Sequence, residues 1–368
     1  MKREALSGRR VWVMAKGYLP DEGGMQTYAH GVAEAYAAAG AHVTVFSQTS
    51  KGPRRERIGS VTLVDIGAGK SPLVPFRFLS AMRKERAAGE PLFVHGTTWR
   101  TSLMPLLLGL PFVTTFHGRE FMYGTRLTLG LIRRVAGGAR AIVAVSHYSG
   151  ARLQKRLGPA CPRPLIAWNG LSALAAVPAG PSEGAPLLFS LCRLEPRKNI
   201  AACVRACAAM RAAGLPFRYV IGGRGPELDR IRELVCELAL DDQIEVAGFM
   251  APERASALYG QARIFLHPQI EVDGGRDFEG FGIAIADAMA AETAVIVGSE
   301  GGAKELVDEG VTGLIVDGRR DDQLEAALHR LLSDEALRDG MAKAARSHAE
   351  ANFRWDRHIE TIVAHLSG

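Results

Sequence analysis

Short apolar runs rich in β-branched residues recur from one end of this chain to the other, and helical patterns or turns separate them. In the first half they are VWVMA at 11, VTVFS at 43, VTLVDI at 61, PLFVHG at 91, FVTTFHG at 112, AIVAVS at 141 and LIAWNG at 165. In the second half they are LLFSLC at 187, RYVIGG at 218, QIEVAGF at 243, IFLHPQ at 264, TAVIVGS at 293 and GLIVDG at 313. Alternation of that kind argues for an α/β fold built on mainly parallel sheets. It breaks once, at Gly180 to Pro186, which has no periodicity and reads as a linker. Two doubly wound domains in tandem follow, 1–178 and 179–352, and 368 residues at 47% hydrophobic suffice for two cores.

The charge is divided unevenly. Residues 1–170 hold 24 Lys+Arg against 9 Asp+Glu, and the remainder holds 21 against 30. A basic half suits nucleic acid, an anionic membrane surface or an acidic substrate, and no nucleic-acid module supports the first. From Ser71 to Gly89, Phe76, Phe78, Leu79 and Met82 interleave with Arg77, Arg83, Lys84 and Arg86. That is a basic amphipathic helix fit to lie on anionic lipid or on its own sheet, with Lys51 to Arg57 adding charge. No apolar run approaches the roughly 20 residues that span a bilayer, so a cytoplasmic protein, peripheral on the inner membrane face at most, is expected. Five cysteines form neither a disulfide framework nor a zinc pattern, and no HExxH, Walker loop or G-x-S-x-G elbow occurs.

In open parallel sheets ligands bind beyond the carboxyl ends of the strands, so chemistry is expected in the loops there. Gly23 and Gly24 precede the first helix, expected from about Met25 to Ala39, and permit backbone to approach a phosphate. His117 closes the strand FVTTF. Arg193 and Lys198 follow LLFSLC and are spaced to converge on one dianion. Gly223 lies in the turn Ile221-Gly-Gly-Arg-Gly-Pro. Phe249 and Met250 follow IEVAG and are candidates for a base pocket. Last comes Glu279-Gly280-Phe281-Gly282, opening an alanine-rich helix that carries Asp287. Its glycines let amides face an anion, and its two acids bracket the same turn.

As an ordered set these residues resemble the retaining GT-B glycosyltransferases, the large group containing sucrose-phosphate synthases and bacterial mannosyl- and glucosyltransferases. Asn169-Gly170 and Phe353-Arg-Trp355 belong to the likeness, which covers nearly the whole chain. It implies two Rossmann-like domains facing a central cleft, with a last helix, 353–368, crossing back to the N-terminal domain. It also implies metal-independent, retaining transfer of a hexose from a nucleotide-sugar to a lipid-linked, saccharide or small-molecule acceptor, with no cofactor. Arg193 and Lys198 would stabilise the leaving diphosphate, Glu279 the donor sugar, the amides of Gly280, Phe281 and Gly282 the phosphate oxygens, and Asp287 the ribose. His117 would contact the sugar, and Gly23 and Gly24 would let acceptor and diphosphate meet. A sugar-nucleotide epimerase and a non-catalytic nucleotide-sugar-binding partner stay open as alternatives. Three departures matter: Asp287 replaces the family's usual Glu, Cys192 precedes Arg193 where many relatives carry a smaller residue, and Leu171-Ser172 replaces the common Val-Asp.

Overall fold

The computed structural model describes residues 6–21, 23–69, 73–175 and 184–367. The expected boundary at 178/179, residues 180–183 of the expected linker, and residues 71 and 72 of the basic helix lie outside them. The chain divides into two compact units, Met1–Gly170 with Arg354–Gly368, and Leu171–Phe353.

The first unit runs β1 (Arg10–Met14), α1 (Gly24–Ala38), β2 (His42–Ser47), β3 (Arg54–Ile58), β4 (Val61–Asp65), α2 (Val74–Ala87) and β5 (Phe93–Gly96). It continues with α3 (Leu103–Leu107), β6 (Phe112–Phe116), α4 (Arg119–Met122), α5 (Arg126–Gly138), β7 (Ala141–Ala144), α6 (His147–Leu157) and β8 (Leu165–Ile166). The strands order as β3-β4-β2-β1-β5-β6-β7-β8. All pair in parallel except β3 with β4. Strand β3 had no apolar signal because it is an edge strand of sequence RRERI, the charged kind that blunts an edge against further pairing. Its arginines are spent locally: Arg54 reaches Asp65 at 2.6 Å and Arg55 reaches Glu85 at 2.6 Å. Segment 51–57 therefore offers less free positive charge than its sequence implies.

The second unit runs β9 (Leu187–Leu191), α7 (Ile200–Ala212), β10 (Arg218–Gly222), α8 (Leu228–Glu237), β11 (Ile244–Gly248), α9 (Pro252–Gln261) and β12 (Ile264–His267). Then come α10 (Ile283–Ala290), β13 (Ala294–Gly298), β14 (Leu314–Val316), α11 (Asp321–Ser333) and α12 (Glu335–Asn352). Its sheet is wholly parallel in the order β11-β10-β9-β12-β13-β14, so the winding reverses between β9 and β12. Leu188, Ile200, Val204, Tyr219, Ile221, Ile264, Leu266 and Ile296 fill the core on the helical side.

The closing helix, α13 (Trp355–Ser367), belongs to the first unit and packs on α1. Two glycines make room for its first residue. A Cβ on Gly31 would lie 2.1 Å from the Trp355 ring, and one on Gly170 2.5 Å from it. Gly170 and Trp355, far apart in sequence, thus meet in one packing contact.

Candidate functional site

The reversal between β9 and β12 is where a crevice for ligands opens in a sheet of this topology. The chain after β9 makes one 3₁₀ turn, Pro196–Lys198, then passes through Asn199 at φ 57° into α7. That turn buries Lys198, whose ammonium donates to Glu279 Oε2 and lies 3.4 Å from His267 Nε2 at the end of β12. Arg197 Nε is 3.7 Å from the same Glu279 oxygen and 3.7 Å from Asp277 Oδ1, and its guanidinium also pairs with Glu195. Arg193 stands apart: its side chain is 73% exposed and pairs with Glu195 at 3.0 Å. Arg193 and Lys198 therefore share no partner in this ligand-free arrangement; the cation beside Lys198 on Glu279 is Arg197.

Burial alone would raise the Glu279 carboxyl, but Lys198, His267 and Arg197 hold it well below the usual carboxylate range. For His267, burial and the adjacent ammonium push the imidazole down to about 4, so it is neutral. The result is a desolvated cluster with charges fixed in place, where electrostatic interactions are stronger than in water.

The glycine-rich turn after β10 packs directly on this loop. Gly223 has φ +132° and donates to Gly248 O at 2.6 Å, and a Cβ on it would fall 1.7 Å from the Cys192 carbonyl oxygen. Cys192 N–H donates to Gly222 O, Leu194 N–H to Arg224 O, and Glu227 N–H to Leu194 O. Gly223 thus serves close backbone approach between two loops. Beyond it Phe249 is 51% exposed with the Arg224 guanidinium 4.6 Å from its ring centroid, whereas Met250 is buried against Gly222.

Gly282, at φ 98°, caps α10, and the amides of Gly280, Phe281 and Gly282 have no hydrogen-bond partner among the described residues. Such amides at a helix start suit an anion. Asp287 lies one and a half turns on, 2% exposed, and accepts from the Ser172 N–H at 2.8 Å and the Ser172 hydroxyl at 2.6 Å. Two of the departures noted above therefore meet: the serine that stands for an aspartate binds the aspartate that stands for a glutamate.

Burial pushes the Asp287 carboxyl up to about 6 against those two hydrogen bonds. With an unfolded value of about 3.9, the folded state holds this proton more tightly, so its stabilisation is full below pH 4 and lost as pH rises through 6. The expected contribution falls by about 1.4 kcal/mol between pH 5 and pH 8. Asp287→Asn should abolish that part of the slope, as read by urea denaturation of both proteins at the two pH values.

In the first unit Gly23, at φ 141°, caps α1, Gly24 opens it, and the Gln26 side chain fills the space beside Gly17 and Gly23. His117 closes β6. Its Nε2 donates to Thr97 O at 2.9 Å, since a carbonyl only accepts, and the Nδ1 of the neutral ring is left as an acceptor. Glu120 accepts the backbone amides of His117 at 2.6 Å and Gly118 at 3.0 Å. Burial keeps the His117 imidazole below its ordinary range.

Arg197, Glu195 and His267 were not singled out from the sequence. Arg197 lies between Arg193 and Lys198, and His267 carries the same signal that marked His117, a histidine closing a buried strand. Among the described residues no group of three or more His, Cys, Asp or Glu is arranged to hold a metal ion. No helix there is long and apolar enough to cross a membrane.

Residues 177–348 match the family model for glycosyl transferases group 1, and residues 22–170 that for glycosyltransferase family 4. The chain is 29% identical over 291 residues to a GDP-mannose-dependent α-(1-6)-phosphatidylinositol monomannoside mannosyltransferase of Mycobacterium tuberculosis, covering 74% of this chain and 76% of that one. It is 28% identical over 395 residues to a D-inositol 3-phosphate glycosyltransferase of Acidothermus cellulolyticus, covering 93% and 85%. Among solved structures, sucrose-phosphate synthase of Thermosynechococcus elongatus superposes with a TM-score of 0.79 at 21% identity, over 98% of this chain and 97% of that one. With both halves matched to glycosyltransferase models and the fold shared end to end, the chain belongs to the GT-B glycosyltransferases.

Proposed function

We propose that this protein transfers a hexose-type sugar from a nucleotide-sugar to an acceptor hydroxyl with retention at the anomeric carbon, in bacterial glycolipid, polysaccharide or glycoside biosynthesis. The observation that carries the reading is the buried Lys198–Glu279 pair, with Arg197 against it and partnerless amides at Gly280 to Gly282. The amides and Lys198 hold the diphosphate, and the exposed Arg193 exchanges its pair with Glu195 for the diphosphate, supplying the charge stabilisation that usually dominates such chemistry. Glu279 accepts from donor-sugar hydroxyls and steadies positive charge near the anomeric carbon. The leaving phosphate takes the acceptor proton, so no nucleophilic carboxylate is required and the cations carry the diphosphate charge without a resident metal. His117 supplies a neutral acceptor nitrogen to a sugar hydroxyl. A ribose hydroxyl at Asp287 has to share the carboxylate with Ser172. Thermal-shift binding across GDP-, UDP-, ADP- and dTDP-sugars tests the reading. Stabilisation by at least one in the wild type and none in Lys198→Ala supports it; no response in the wild type sinks it.

A lipid-linked acceptor reached from the inner membrane face suits the first unit. Among the described residues its exposed large apolar side chains are Leu73, Phe76, Leu107, Leu127 and Leu131, all on or beside α2, α3 and α5, with α3 packed against both neighbours. Arg77, Arg83, Lys84, Arg86, Arg126, Arg133 and Arg134 are exposed on α2 and α5. The mannosyltransferase relative is named for a phosphatidylinositol acceptor. The protein should co-sediment with liposomes containing anionic lipid at low salt, and Phe76→Ser with Leu127→Ser should release it. Equal sedimentation with neutral liposomes, or none with anionic ones, removes the membrane reading.

A further inference from the structure

Beneath His117 the first unit buries a set of polar groups that the mechanism above leaves unused. His358 Nδ1, on α13, lies 3.0 Å from the Trp168 carbonyl, which only accepts, so this nitrogen carries the proton and Nε2 is the acceptor. The Tyr28 hydroxyl, 2.9 Å from that Nε2, must then donate to it. Having given its proton, the Tyr28 oxygen accepts from Thr115 Oγ1 at 2.7 Å. Thr115 accepts from His95 Nε2 at 2.8 Å, and His95 Nδ1 accepts from Tyr36 at 3.0 Å. The proton order therefore runs one way, from Tyr36 through His95, Thr115, Tyr28 and His358 to the Trp168 carbonyl.

The side-chain members are all buried, at 0% exposure for Tyr28, Tyr36, His95 and Thr115 and 1% for His358. Reversing any link would strand a donor or acceptor, at a cost of about 1–3 kcal/mol each. The order requires neutral histidines, and burial supplies that, pushing His358 down to about 4 and His95 further below its usual range.

This chain touches the site at one place. The rings of Tyr28 and His117 meet edge to face with centroids 4.6 Å apart and planes at 86°, closer than Tyr28 stands to His358 at 5.4 Å, Trp355 at 5.6 Å or His95 at 6.1 Å. Two restraints thus act on His117: the Thr97 carbonyl selects its tautomer, and the Tyr28 ring sets its tilt. The Tyr28 ring cannot swing away from its place without breaking its bonds to Thr115 and to His358, which lies 330 residues away in sequence.

We propose that Tyr28 and His358 are positioning residues for His117, so that the closing helix tunes sugar transfer through a proton-ordered core. The proposal rests on the reading that His117 touches the donor sugar.

Four variants and one spectrum test it. Tyr28→Phe keeps the ring but loses its anchors, and His358→Leu removes the acceptor; each should lower kcat about tenfold with donor KM within about twofold. His358→Gln, whose amide oxygen accepts and amide nitrogen donates, should restore kcat to within about threefold of wild type. Tyr36→Phe removes a hydroxyl from the far end of the same chain without touching His117, and should stay within about twofold once corrected for folded fraction. In ¹⁵N-histidine NMR, the wild-type His117 should show the Nε2–H tautomer, and Tyr28→Phe should shift its ring signals while Tyr36→Phe leaves them in place. If Tyr28→Phe and Tyr36→Phe lose kcat alike and neither moves the His117 signals, the network is only structural and the proposal is overturned. If the wild type transfers no sugar, the functional reading fails instead, and the spectra alone decide whether Tyr28 sets His117.

Discussion

Lys198→Ala is expected to reduce kcat by 10²–10³-fold, the usual loss when one preorganised charge is removed from a site of developing negative charge. The same change should destabilise the second unit, because Glu279 then keeps a buried carboxylate with Arg197, 3.7 Å away, and the neutral His267 left to offset it. Breaking one side of a buried pair costs about 3–5 kcal/mol, and Arg197 argues for the lower end. The pH dependence separates the two losses. In the wild type the depressed Glu279 carboxyl contributes stability that is present above its unfolded pKa and is lost only as pH falls through its low folded value. Losing Lys198 removes the largest charge opposing burial and lets the carboxyl rise from its depressed value, so the deficit relative to wild type should be largest at pH 8 and shrink as pH falls. The double variant Lys198→Ala with Glu279→Gln should recover most of the stability and none of the activity. Thermal denaturation beside steady-state kinetics reads both, and recovery of activity in the double variant would contradict the assigned roles.

The second large effect is expected at Gly223→Ala. Its φ of +132° lies where an L side chain is strained, and the new Cβ would fall 1.7 Å from a backbone oxygen that no side-chain rotation can move. Strain and clash together should cost about 3 kcal/mol or more and push the loop of Cys192 to Lys198 away from the Gly-rich turn, with loss of nucleotide affinity. Gly214→Ala is the comparison. Gly214 has φ +73° and nothing within 4 Å of an added Cβ, so only the left-handed conformation is penalised, at about 1 kcal/mol. Equal losses in urea denaturation would show that φ alone matters and that the two loops need no close approach.

The thirteen apolar runs read from the sequence all became strands, because a strand buried in a parallel sheet is apolar on both faces and advertises itself. Strand β3 did not, since an edge strand survives on charged side chains and pairing with one neighbour. The site loops were legible for the same reason as the strands, lying just beyond them. Which cation meets which acid was not. Arg193, Arg197 and Lys198 stand within six residues of one another, and only the 3₁₀ turn decides that the last two reach Glu279 while Arg193 stays exposed. Likewise Ser172 and Asp287 each read as an isolated departure until the 115-residue separation between them closed into two hydrogen bonds.

Every role proposed above depends on retaining transfer from a nucleotide-sugar at the Lys198–Glu279 cluster. Its most direct test is proton NMR of the reaction with an α-linked nucleotide-sugar, following the anomeric signals of donor and product in the wild type and in Lys198→Ala. The predicted result is cleavage of the donor and an α-configured glycoside from the wild type alone. A β-configured product, or an altered sugar with the nucleotide bond intact, would contradict it.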